Sequence, residues 1–121
     1  MPRFLLLVLF GVSTVLLPSA NTAGHAIVNQ IHAHRQGIAV WWTGNDGWLI
    51  KSGDLLIGLD LTLDNDEKVQ PPPVTASDIA EDLDVVFVTH HHSDHCNPET
   101  LRTLMHAGNA FLCCQAPALK S

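Results

Sequence analysis

Apolar residues are distributed unevenly along the chain. Residues 4–17 are apolar apart from Gly11, Ser13 and Thr14, with Arg3 before them and Pro18 and the small residues of SANTAGHA after them. A basic start, a short apolar stretch and small residues, in that order, predict a secretory signal over residues 1–26, cut somewhere between Ala20 and Ala26. The stretch is shorter than the roughly 20 residues a membrane span needs, so an uncleaved anchor is the less favoured reading. The domain would then be periplasmic or secreted, with residues 27–36 as an exposed N-terminal segment carrying His32 and His34.

Beyond residue 36 the pattern becomes that of strands. GIAVWWT at 37–43, WLIK at 48–51 and LLIGLDL at 55–61 are rich in β-formers, and GNDG and SGD between them supply turn chemistry. None alternates cleanly between apolar and polar, which predicts strands covered on both faces. Residues 62–75 are acidic and then proline-rich, and read as an exposed loop. Ser77 is placed to cap a short helical turn through DIAEDL. Residues 85–89 form another buried strand. Asn97 and Pro98 open a helix, Leu101, Leu104 and Met105 recur at helical spacing, and Gly108 ends it. AFLCC at 110–114 is the last strand.

The fold class is therefore α/β: strands, a loop, then strand, helix, strand. Five largely apolar strands need cover on both faces, whereas the pattern supplies one good helix and one short one. The inventory is that of half a domain, with uncovered sheet surface available for self-association.

Composition narrows the partners. Twelve acidic residues against six basic ones argue against nucleic acid. The three cysteines cannot all pair within one molecule; Cys113 and Cys114 read as buried strand residues and Cys96 as buried under the helix start. Trp41, Trp42 and Trp48 read as core or cover, with a substrate mouth as the alternative.

The candidate chemistry lies in HHHSDH, residues 90–95. A helix through it conflicts with Asn97 preceding Pro98, because a residue before proline is pushed out of the helical region. If the strand continues briefly, His90 and His92 share one side, while Asp94 and His95 fall at the bend before the helix. Imidazoles with one carboxylate suit zinc, iron, copper or nickel. A solvated, histidine-rich loop is the plainer alternative.

VVFVTHHHSDH, preceded by GIAVWWTGNDGWLIKSGDLLIGLDL, resembles the N-terminal half of the metallo-β-lactamase-fold hydrolases, most closely the lactonase-like and phospholipase-like branch. The likeness covers a partial domain at 37–121. It implies half of an αββα sandwich, a mixed sheet with one or two flanking helices, and a dinuclear metal centre at the strand ends. Carried over by position, His90 and His92 would ligate one metal, Asp94 and His95 the other, and Asp60 would lie near the site. The implied cofactor is Zn2+, two ions in a complete member, with Mn2+ or Fe2+ as alternatives. Asp94 would also orient the attacking water or receive its proton, as the catalytic residue. The family's later ligands have no counterpart in this sequence, and His106, inside a helix, is a weak substitute. The implied activity is hydrolysis of a small-molecule ester, lactone, amide or phosphodiester by metal-activated hydroxide; the alternative is a non-catalytic metal-binding fragment.

Overall fold

The computed structural model describes residues 20–64 and 71–115, with side chains from residue 26 onward. Most of the predicted signal and residues 65–70 of the acidic loop lie outside that set. The elements are α1 Ala20–Ala33, β1 Ile38–Gly44, β2 Gly47–Ser52, β3 Leu55–Leu59, α2 Ala76–Ile79, β4 Val85–Val88, α3 Pro98–Ala107 and β5 Phe111–Cys114. No described helix is long and apolar enough to cross a membrane.

The strands form one mixed sheet in the order β1-β2-β3-β4-β5. β1, β2 and β3 are an antiparallel meander, and β4 and β5 continue parallel to β3. Both parallel connections advance across the sheet in the same direction. With the right-handed crossover that twisted strands impose, helices α2 and α3 must fall on the same side. That side holds the core, where Leu49, Leu56, Val86 and Val88 pack with Ile31, Ile79 and Leu104.

The opposite face is bare among the described residues. Ile38 (73% exposed), Val40, Trp42, Trp48, Leu55, Phe87 and Phe111 (76%) all lie open. The strands are thus apolar on both sides, as their lack of alternation indicates, but only one side is covered. The shortfall of helices that the pattern predicts is thus present: one sheet and one helical layer, half of a four-layer sandwich, are what the described residues build.

Four local expectations are refined. Residues 27–33 belong to α1, because Ile27, Val28 and Ile31 share one helical face against the core. His32 is exposed on α1 and meets Asp82 at 2.8 Å. Helix α2 is capped by Thr75, not Ser77: Thr75 Oγ1 accepts the Asp78 N–H, and Asp78 Oδ2 accepts the Thr75 N–H in a capping box. The ends of the expected exposed loop are core, with Leu63 and Val74 buried. Cys113 is exposed and Cys114 half-buried rather than both being interior; Cys96 is buried as expected. For α3 the sequence reading holds at both ends, since Asn97 Oδ1 accepts the Thr100 N–H at 2.8 Å and Gly108 is the C-cap.

Thr100, fully buried, ties α3 to the chain leaving β3: its Oγ1 accepts the N–H groups of Leu63 and Asp64, each at 2.9 Å. Valine has the same shape without the acceptor. Thr100→Val is expected to cost about 2 kcal/mol, the scale of stranding buried donors. Urea unfolding should show it as a lower midpoint at unchanged slope, and Thr100→Ser should recover most of the loss.

Candidate metal centre

The site forms at one edge of the sheet, where several strands end together. β1 and β3 both run antiparallel to β2, and β4 is parallel to β3. The carboxyl ends of β1, β3 and β4 therefore point the same way, the edge at which parallel sheets place ligands. They deliver Asp46 in the β1–β2 turn, Asp60 just after β3, and Thr89 and His90 just after β4.

Asp60 anchors the group. It has φ +46°, the left-handed region that Asp tolerates better than most residues, and it is 3% exposed. Its Oδ1 accepts the Thr89 N–H at 2.7 Å, and its Oδ2 accepts the Thr89 hydroxyl at 2.7 Å. His95 Nδ1 donates to the same Oδ2 at 2.9 Å. Because its proton goes to Asp60, the Thr89 hydroxyl is left to accept from His90 Nδ1, 3.1 Å away. Both imidazoles thus have Nδ1 occupied, which leaves each Nε2 without its proton and available to a cation in the neutral state.

Charge follows the same contacts. Burial pushes the Asp60 carboxyl up, but the hydrogen bonds from His95 and Thr89 outweigh it and hold the group below the usual carboxylate range. The bond to Asp60 raises His95; partial burial opposes that, and the nearby charges of Asp60, Asp94 and Asp46 add to the rise, so histidine sits above its ordinary value.

Between β4 and α3 the chain turns instead of extending the strand. The His92 carbonyl accepts the N–H groups of His95 at 2.9 Å and Cys96 at 2.8 Å. The alternation expected of a continuing strand therefore does not apply. His90, Asp94 and His95 come together, with one ligand atom from each lying within 4.8 Å of the others. The His90 and His95 rings lie 3.9 Å apart, centroid to centroid. His92 stands outside this group, its ring edge-on to His90 at 4.8 Å. His106 is exposed in the last turn of α3.

Two residues that reading the sequence did not bring to the site are Thr89, which links Asp60 to His90, and Asp46, whose Oδ2 lies 3.2 Å from His95 Nε2. The GNDG signal marked the Asp46 turn but not its destination, which depends on the sheet order.

A shallow groove of about 370 Å³, lined by Phe87, Val88, Thr89, Cys113, Cys114 and Gln115, reaches the site through Thr89. Another of about 300 Å³, lined by Trp42, Thr43, Gly44 and the prolines 71–73, adjoins the turn that carries Asp46. Trp42 and Trp48 belong to the open sheet face, whereas Trp41 is half-buried against the core and donates its Nε1–H to Gln30.

Two imidazoles, a carboxylate between them in sequence and a buried carboxylate behind one ring form a donor set that fits a divalent ion. A comparison with curated proteins finds no match. The model of a family described as the beta-lactamase superfamily domain matches residues 39–118, from β1 through β5 and including every residue of the cluster. A mixed sheet with its helices on one side, a histidine–aspartate group where the parallel strands end and that match agree: the chain belongs to the beta-lactamase superfamily, a hydrolase-type and typically metal-dependent family.

Proposed function

We propose that the domain is a metal-dependent hydrolase acting on a small-molecule ester, lactone, amide or phosphodiester, with His90, Asp94 and His95 holding a divalent ion. The observation that carries this reading is the convergence of those three groups while Asp60 and Thr89 occupy the inner nitrogens of both rings. Zinc suits the donor set best, and manganese or iron are the alternatives. Such an ion supplies a water of pKa about 7 and polarises a carbonyl or phosphoryl oxygen.

The chain's own groups do the rest. Asp60 and Thr89 fix the ring orientations, so the site is arranged before substrate arrives. Asp94 is exposed beside His95, with its Oδ2 3.6 Å from Nε2, and is placed to orient a water or take up its proton. The amino end of α3, three residues beyond His95, favours negative charge developing nearby. The groove reaching the site through Thr89 gives apolar substrate atoms a place against Phe87. His92 belongs to the proposal as a further ligand that would have to turn inward. An extracytoplasmic setting is also proposed, on the order of charge, apolar stretch and small residues at the start of the sequence.

The full chain is expected to bind Zn2+ and to hydrolyse at least one member of an ester, lactone and phosphodiester panel. Chelation should abolish turnover, and added zinc or manganese should restore it. His95→Ala should remove binding and turnover together. Turnover that survives chelation would eliminate the mechanism. Metal uptake without turnover would favour the non-catalytic reading, which has in its support that only three residues form the tight ligand group among the described residues.

A further inference from the structure

We infer that Asp46 is itself a metal ligand: the β1–β2 turn supplies its carboxylate to the cation held by His90, Asp94 and His95. The inference rests on the metal-site reading above. It adds a residue from an element far from the histidine cluster in sequence.

Geometry at His95 is the first support. With Nδ1 given to Asp60, Nε2 is the nitrogen left for a cation, and it faces two carboxylates, Asp46 Oδ2 at 3.2 Å and Asp94 Oδ2 at 3.6 Å. Two ligand atoms each about 2.1 Å from an ion and separated by a tetrahedral angle stand about 3.4 Å apart. Both observed separations lie within a few tenths of an ångström of that edge. Asp46 thus lies slightly closer to Nε2 than Asp94 does; it stands outside the set whose ligand atoms all lie within 4.8 Å of one another, so joining the ion asks its exposed carboxylate to shift toward that set while His95 remains the contact they share.

The turn is also built to stay in place. Gly44 (φ +98°) and Asn45 (φ +49°) take left-handed conformations, and the Trp42 Nε1–H donates to the Asn45 carbonyl at 2.8 Å. Gly47 closes the turn where a Cβ would lie 2.5 Å from Thr43 Oγ1 and 3.2 Å from the Asp60 carbonyl oxygen. The turn is therefore seated directly on the residue that anchors His95.

A plain ion pair between Asp46 and protonated His95 is the competing account. Asp46 has a 57% exposed side chain, and a pair of that kind is weak because solvent screens it. The two accounts differ in what surrounds the ion. An ion pair must break before a cation can take Nε2, so a carboxylate with no bond to the metal would act on it only at a distance, and its removal would leave the coordination of the ion unchanged. A ligand, once removed, weakens affinity and changes that coordination.

The test is a titration of the full chain with Zn2+ in competition with a chromophoric chelator, on the wild type, Asp46→Asn, Asp46→Glu and Asp94→Asn. Far-ultraviolet circular dichroism would verify folding, and asparagine is itself a good turn residue. Asp46→Asn is expected to raise the Kd for zinc by about tenfold to a hundredfold, the scale on which altered metal surroundings act. Asp46→Glu should recover part of the loss, and the visible spectrum of the Co2+-loaded protein should change in Asp46→Asn. Wild-type affinity or better in Asp46→Asn, beside a clear loss in Asp94→Asn, would overturn the assignment of Asp46 alone. A wild-type chain that binds no zinc would overturn the metal-site reading itself, and this inference with it.

Discussion

Asp60→Ala should lower the stability of the chain by about 3 kcal/mol and its zinc affinity by about ten- to a hundredfold. The carboxylate accepts three hydrogen bonds, from the Thr89 amide, the Thr89 hydroxyl and His95, and is almost wholly buried. Breaking a buried charged network costs about 3–5 kcal/mol. Thr89 is exposed, so water recovers part of its bonding, which places the expected value at the lower end. Alanine also lacks the tolerance of Asp for φ +46°. Asp60→Asn keeps the shape and an acceptor for the Thr89 amide, so its stability loss should be nearer 1 kcal/mol, on the scale of one hydrogen bond. Its metal affinity should still fall, because the charge behind His95 is gone. Chemical unfolding and a zinc competition titration on both variants would separate the two effects; equal zinc affinity in wild type and Asp60→Ala would refute the role given to Asp60.

Gly108→Ala carries the second large effect, and it is purely steric. Gly108 caps α3, its N–H donating to the Leu104 carbonyl at 3.1 Å, with φ −121°, a conformation open to any residue. The added methyl group, however, would stand 2.0 Å from the Ala80 carbonyl oxygen at the end of α2. Both partners are backbone, so no side chain can swing aside, and α2 and α3 must separate. The expected loss is about 3 kcal/mol, the upper part of the range for overpacking. A loss of that size lowers the thermal midpoint by roughly 10–20 °C in a domain of about this length. A melting temperature within a degree of wild type would mean that the helices yield without cost.

The same glycine illustrates what the sequence could and could not convey. Its position after a helical pattern made it legible as a stop, but the reason it must be glycine lies in α2, which only the fold brings near. The strands were legible because β-branched and aromatic runs were separated by clear turn residues. Helix α3 was legible from Asn97 and Pro98, whose preferences are local. Helix α1 was not read, because its apolar positions sit among small and polar residues and gain meaning only against the core. At the site, HHHSDH was conspicuous, and His90, Asp94 and His95 do meet. His92 lies apart because the chain turns at its own carbonyl, a hydrogen-bonding choice that alternation does not predict. Asp46 was hidden in plain turn chemistry; its place beside His95 follows from β1 and β3 running the same way.

The sheet that carries all this sends Cys113 to its bare side, level with Phe87, and Cys114 to the helix side against the core. Two neighbouring thiols in one strand therefore live in different media, one washed by solvent and one partly sheltered by hydrocarbon. Oxidants and alkylating reagents meet them as separate populations, and anything that came to lie over the bare side would silence the first while leaving the second as it was.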